Sequence, residues 1–248
     1  MNYNIRKHIS VLSKIIFAYF IFMECSFSEE RLSKQELDKI MYEYIMENPQ
    51  VILDSVDKLR KKMEEDSKLD EDYLKENFMQ FANNPNIPYM GSDTPKVIII
   101  EFFDYNCSYC KKSLDAVAEL LRTEYDLKIS FRDYPILSPS SRIAAKAALA
   151  AKKQGKYFSF HSALMSMQGN LNEDKIFTIA NNLEMDIEKL KIDMQKDEIE
   201  EIIENNESLA RKLNIRGTPT FIINGKLYAG ALDLKKLRQI INSSLQDS

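Results

Sequence analysis

The run Val97-Ile98-Ile99-Ile100-Glu101-Phe102-Phe103 leads through Asp104-Tyr105-Asn106 into Cys107-Ser108-Tyr109-Cys110. An apolar run of this kind reads as a buried strand, and Lys111 to Leu121 has the apolar spacing of an amphipathic helix. The cysteine pair therefore falls where a strand hands over to a helix. There the first sulfur lies near backbone N–H groups that have no partner inside the helix, and their dipoles favour thiolate over thiol. The second cysteine follows about one helical turn on, close enough to close a small disulfide ring. Such a pair can attack a disulfide, hold the mixed intermediate and resolve it.

The other contents of the chain narrow the alternatives. It has 248 residues, 44% of them hydrophobic and 29% charged, with a formal net charge of −4. That is enough apolar material for one sizeable core, and interspersed Lys and Glu leave no nucleic-acid footprint. Three cysteines do not make a disulfide scaffold. Six glycines are few for an all-β fold.

The N-terminus reads as an export signal. Arg6, Lys7 and Lys14 precede an apolar stretch from Ile15 to Met23, shorter than the ~20 residues of a membrane span. Ser26 and Ser28 are small residues suited to cleavage after Ser28, which makes residues 1–28 a signal peptide. Cys25 opens a lipoprotein reading, against which Glu24 is a poor preceding residue. A retained membrane anchor is the third alternative. In each case the rest of the chain is expected in the periplasm, an oxidising compartment, soluble or attached to the membrane.

Residues 29–82 read as a helical arm. Leu37, Ile40, Met41, Tyr44 and Ile45 recur at helical spacing, Asn48-Pro49 breaks the helix, and Val51, Ile52, Leu53, Val56 and Leu59 form a second apolar face. A charged stretch from Arg60 to Asp72 continues it. This segment lacks the bulk for a core of its own. It therefore packs on a second subunit, making a homo-oligomer through residues 29–80, or folds back on its own domain.

Residues 83–95, rich in Asn, Pro, Gly and Ser, read as a connector into an α/β domain over 83–248. Leu127 to Tyr134 reads as a second strand, with Lys128, Ser130 and Arg132 alternating against Ile129, Phe131 and Asp133. From Ser140 to Asn214 the pattern is helical throughout, which gives an insertion over about 138–214. Strands return at Thr220–Ile223 and Lys226–Ala229 around Asn224-Gly225, a hairpin signal. Asp233 is placed to cap a last helix from Leu234 to Leu245.

A lone Cys-x-x-Cys is also half of a zinc site, which requires two further ligands. Cys25 and His8 lie in the signal region, leaving His161. A structural disulfide over so short a loop removes little unfolded-chain entropy. Downstream, Gly217-Thr218-Pro219-Thr220-Phe221 precedes the hairpin. A proline at a strand entrance is a turn or a cis bond, and on its own it reads as trans.

Taken together, Phe102-Phe103-Asp104-Tyr105-x-Cys107-x-x-Cys110-Lys111 and the distant Gly217-Thr218-Pro219-Thr220-Phe221 resemble the DsbA-like thiol:disulfide oxidoreductases of the thioredoxin fold. The resemblance covers about residues 90–245. It includes the Ala-rich helix and Gln154-Gly155-Lys156 with Phe158, which are similar to that family's inserted helical domain. It implies a thioredoxin-like α/β fold with a helical insertion and an N-terminal helical extension. It implies a redox-active Cys107–Cys110 disulfide, with Cys107 the nucleophile and Cys110 the resolving thiol. Pro219 would be cis, and the Thr218 backbone would lie beside the disulfide to pair with an extended client strand.

Between the cysteines stand Ser108-Tyr109, where the best-known oxidases have Pro-His. Without that histidine the Cys107 pKa is expected between the ~3.5 of DsbA and the ~7 of thioredoxin. Glu101 either shuttles protons beneath the pair or is merely solvated. His161 reads as a packed or capping histidine. Phe103 reads as core, while Tyr105 and Tyr109 are core or an apolar landing site for clients.

The expected function is disulfide formation in exported client proteins, without cofactor or metal. The resemblance implies a membrane partner that reoxidises the pair. The helical arm resembles that of oligomeric isomerases and copper-stress proteins of the same fold, which makes disulfide reshuffling or reduction the alternative direction. A non-catalytic surface chaperone and a metal-binding module are the readings from other classes.

Overall fold

The structure is a computed structural model describing residues 32–123 and 126–246, without the side chains of residues 63–70. The expected signal segment, with His8 and Cys25, lies outside the described residues. Two compact units divide between Lys61 and Lys62.

In the first unit, helix α1 (Lys34–Glu47) starts on a Ser33–Glu36 capping box, in which each side chain bonds the other residue's backbone N–H. Asn48 ends it by donating from both its backbone and its side chain to the Tyr44 carbonyl. After Pro49 helix α2 (Gln50–Ala82) begins. The two expected apolar faces are present but uncovered: α1 buries no residue, and Ile40, Met41, Ile52, Leu53 and Leu59 are all exposed.

The second unit is built on a sheet. In chain order it comprises β1 (Tyr89–Gly91), β2 (Val97–Phe103), α3 (Ser108–Thr123), β3 (Leu127–Asp133), α4 (Pro139–Ala151), α5 (Tyr157–Ser166), α6 (Glu173–Asn182), α7 (Ile187–Met194), α8 (Asp197–Lys212), β4 (Thr220–Ile223), β5 (Lys226–Ala229) and α9 (Leu234–Gln246). The strand order is β1-β3-β2-β4-β5; β2 and β3 run parallel, and every other pair is antiparallel. The Asn224-Gly225 turn works as expected, because both residues adopt the positive φ that the tight hairpin requires. Asp233 caps α9 by accepting from the Lys236 N–H at 2.7 Å.

Strand β2 is buried on both faces, as its unbroken apolar run requires. Ile99 and Phe103 face the cluster built with Val117 and Leu120 of α3, the alanines of α4, Phe160 of α5 and Leu237 of α9. Ile98, Ile100 and Phe102 face the other cluster, with Tyr134, Leu209, Ala210 and Leu213. Leu74, Phe78 and Ala82 join that second cluster, so the last turns of α2 form part of the sheet's covering layer.

This layer explains β3, which is buried along its whole length despite its polar residues. Lys128 Nζ donates to Asn83 Oδ1, Ser130 Oγ to the Ala82 carbonyl, and Arg132 to the Phe81 carbonyl and to Asn206 Oδ1. Three alternating polar side chains thus clasp the end of one helix, which satisfies their burial.

The expected connector contains one strand that its turn-rich composition concealed. Strand β1 pairs antiparallel with β3 from Tyr89↔Ser130 to Gly91↔Lys128. Gly91 ends it at φ +103°, where an added Cβ would meet the Leu127 carbonyl oxygen at 1.9 Å. Both the dihedral and the close approach exclude a side chain. Gly91→Ala is expected to destabilise the fold by about 2 kcal/mol or more in urea unfolding; an unchanged midpoint would contradict this packing.

Candidate redox site

Cys107 is placed by the turn that leaves β2. The Asp104 carboxylate accepts from Asn106 N–H at 2.7 Å and from Leu137 N–H at 3.0 Å, and the Asp104 carbonyl accepts from Cys107 N–H at 3.0 Å. Cys107 then starts the helix, its carbonyl accepting from Lys111 N–H. Its sulfur therefore sits where the free N–H groups of the first turn point.

The two sulfurs differ in access and acidity. Cys107 is 5% exposed and Cys110 fully buried. The Cys110 thiol beside it holds the Cys107 pKa down, to about 5, helped by Thr218 and by the N–H groups of Cys110 and Tyr109, and opposed by burial. That value lies inside the interval expected from Ser108-Tyr109. Burial pushes Cys110 far up, so it stays a thiol. The pair thus holds one nucleophile and one proton-bearing partner.

Thr218 and Pro219 come to the same place. Antiparallel pairing sets Thr220 of β4 opposite Phe102 of β2, so the segment ahead of β4 runs past the start of α3. The Thr218–Pro219 bond is cis. Cys107 Sγ donates to the Thr218 carbonyl at 3.1 Å. All four residues singled out in the sequence are brought together.

Glu101 resolves against the solvated reading. It is 3% exposed, and strand alternation puts it on the same face as Ile99 and Phe103. Burial, with a contribution from Cys107, raises its carboxyl to about 8. It is thus a protonated acid in the field of both sulfurs at neutral pH. His161 is packed, as expected: it stacks on Tyr157, meets Phe103 edge-on and shares a 3.1 Å hydrogen bond with Tyr105 Oη. Burial lowers its pKa to about 3, keeping it neutral. Phe103 and Tyr105 are core, whereas Tyr109 is 60% exposed.

Sequence reasoning missed two neighbours. Asn106, directly before Cys107, bonds Ser138, Ser140, Ser141 and the Leu171 N–H. Asp133 is fully buried with neither carboxylate oxygen hydrogen-bonded, and burial pushes its carboxyl well up. Nothing local in the sequence paired Ser138, Ser140 and Ser141 with residue 106.

The raised Glu101 carboxyl has a consequence for stability. The folded state holds this proton more tightly than the unfolded chain. Its stabilising contribution is complete below the ordinary value of 4.5 and is lost as pH climbs through about 8. In the disulfide form neither sulfur titrates and the Cys107 contribution falls away, leaving burial to raise the carboxyl; the protein is still expected to lose stability relative to Glu101→Gln as pH rises over that interval. Parallel urea curves for the two proteins across it would contradict the assignment.

The chain matches the thioredoxin family model over residues 83–243 and the model of the copper resistance protein ScsC N-terminal domain over residues 34–65. A thioredoxin-like oxidoreductase from Silicibacter pomeroyi is 38% identical, with 66% of this chain and 95% of that one covered at a TM-score of 0.64. The thiol-disulfide exchange protein alpha-DsbA2 from Wolbachia pipientis is 33% identical, with 70% and 97% covered at the same TM-score. Disulfide bond formation protein D of Bacillus subtilis is 25% identical, over 64% of this chain and 77% of that protein. The match to the Na(+)/H(+) antiporter NhaA 1 of Salinispora arenicola, 28% identical, covers 62% of this chain, which spans about a quarter of that protein's length. With a helix-tip cysteine pair set against a cis-proline segment, and with relatives of this kind covered almost end to end, the chain belongs to the thioredoxin family, among its DsbA-like thiol:disulfide oxidoreductases.

Proposed function

We propose that this protein is exported and forms disulfide bonds in client proteins through Cys107 and Cys110. The observation that carries the reading is the position of the Cys107 sulfur, at a helix tip and 3.1 Å from the Thr218 carbonyl. A client thiolate attacks Cys107 of the disulfide. The S–S bond breaks, and its electron pair leaves on Cys110. Cys110 then takes a proton, for which protonated Glu101 is the neighbouring source. The client's second thiolate attacks the client sulfur of the mixed disulfide, and Cys107 departs as thiolate. The client has lost two electrons and the enzyme holds them as a dithiol.

Direction follows from thiolate stability. A stabilised Cys107 thiolate favours the dithiol form and makes the disulfide oxidising. The name of the Bacillus relative agrees with the forming direction. Regeneration requires an electron acceptor, for which a membrane redox partner is the proposal. Export rests on Arg6, Lys7 and Lys14 ahead of the apolar run Ile15–Met23, and the compartment it implies is the periplasm.

A second reading, an oligomeric isomerase or reductase, has its own support. The first unit carries exposed Ile40, Met41, Ile52, Leu53 and Leu59, and the ScsC-type match spans that segment. A second copy of the chain covering these residues would set several pairs near one client. Ile40→Glu with Leu53→Glu is expected to lower the native mass, and also to slow recovery of a scrambled disulfide substrate if reshuffling is the role. An unchanged mass would remove the arm from assembly.

Cys107→Ala is expected to abolish turnover with a reduced client peptide. Cys110→Ala, offered a client peptide that already carries a disulfide, is expected to accumulate the client as a mixed disulfide on Cys107, because the thiolate of Cys107 attacks the client disulfide and no second thiol resolves it; mass spectrometry reads the adduct. A Cys107→Ala protein that keeps its function would point to a surface chaperone, and stoichiometric zinc in the purified protein to a metal-binding module.

A further inference from the structure

The cysteine pair is gripped from both sides by one segment of the helical insertion. Directly before Cys107, Asn106 Oδ1 accepts from the Leu171 N–H at 2.7 Å. Its side-chain NH2 group reaches Ser138, Ser140 and Ser141 Oγ at 2.9, 3.0 and 3.1 Å, around the start of α4. Directly after Cys110, Lys111 Nζ donates to the Met167 carbonyl at 2.6 Å and the Gly169 carbonyl at 2.8 Å. Met167 to Leu171 is the link between α5 and α6, and Gly169 turns it at φ +72°.

We propose that Asn106 and Lys111 are positioning residues for thiol exchange, fastening the reactive helix tip to the Met167–Leu171 link so that the link and the Cys107 sulfur respond to each other. The inference rests on the exchange reading above and adds the insertion to its working parts.

Two physical arguments support it. A lysine on the first turn of a helix is placed against the dipole, and here two fixed carbonyls hold it there. Burial and Lys175 of α6 lower the Lys111 pKa, while Asp104 and Cys107 raise it. The ammonium and the Cys107 sulfur therefore favour each other's charged form. Two other titratable groups near the sulfur, the Glu101 carboxyl of β2 and the Cys110 thiol, are both held in their neutral forms. The coupling is reciprocal: whatever the link does to Lys111 and thence to the thiolate, the state of the sulfur does back to the link.

The test uses the full chain in its reduced form, with Lys111→Met, Lys111→Arg and Asn106→Ala. Thiolate absorbance gives the Cys107 titration, and amide hydrogen exchange gives the protection of the Leu171 N–H. Lys111→Met is expected to raise the Cys107 midpoint by about half a unit, roughly threefold in thiolate at the midpoint, and Lys111→Arg to restore it. Leu171 exchange is expected to rise about tenfold in both Lys111→Met and Asn106→Ala, as loss of one ordering hydrogen bond implies. An unchanged midpoint or unchanged Leu171 exchange in folded Lys111→Met overturns the proposal, and that variant decides alone if Asn106→Ala does not fold. Neither measurement involves a client, so inactivity of the wild-type chain toward clients would sink the exchange reading and leave this one to its own result.

Discussion

The contact between Cys107 Sγ and the Thr218 carbonyl depends on pairing two strands distant in sequence. Once β4 aligns antiparallel with β2, Thr220 stands opposite Phe102, and the residues ahead of one strand must pass the residues after the other. The turn at Asp104 then decides which atom meets Thr218. Its carboxylate and carbonyl fix Asn106, Cys107 and Leu137, so the sulfur enters α3 at the position where the backbone dipoles are uncompensated. The acidity of Cys107 thus rests on where the Asp104 turn delivers its sulfur, beside Cys110 and the first N–H groups of α3.

Beneath that contact lies a group of buried polar side chains. Glu101, Tyr105, His161, Tyr157 and Asp133 are all buried on the α3 side of the sheet, and their electrostatic fields overlap. Burial resolves the conflict by neutralising them: the carboxyls keep their protons and the imidazole loses its own. A neutral but proton-rich environment under a disulfide suits a reaction in which the buried sulfur must be protonated after each opening.

Much of this was legible in the sequence. The apolar run at 97–103, Asn224-Gly225, and the capping position of Asp233 are local signals, and local physics carried them through. The cis bond at Thr218–Pro219 was different, since no local feature separated it from a trans bond. It followed from the joint presence of Cys107-x-x-Cys110. What stayed hidden was non-local. Strand β1 hides in a connector because only its pairing with β3 makes it a strand. Lys128, Ser130 and Arg132 are buried because the end of α2 happens to cross them. Asn106 reaches serines and a backbone N–H that are adjacent to it only after the insertion folds.

The central claim is that stabilisation of the Cys107 thiolate, unshared by Cys110, makes this pair an oxidant of intermediate strength. The most direct measurement is the equilibrium reduction potential of the Cys107/Cys110 couple against glutathione. The account predicts a value between the roughly −270 mV of thioredoxin and the roughly −120 mV of DsbA. A potential at or below that of thioredoxin would contradict it.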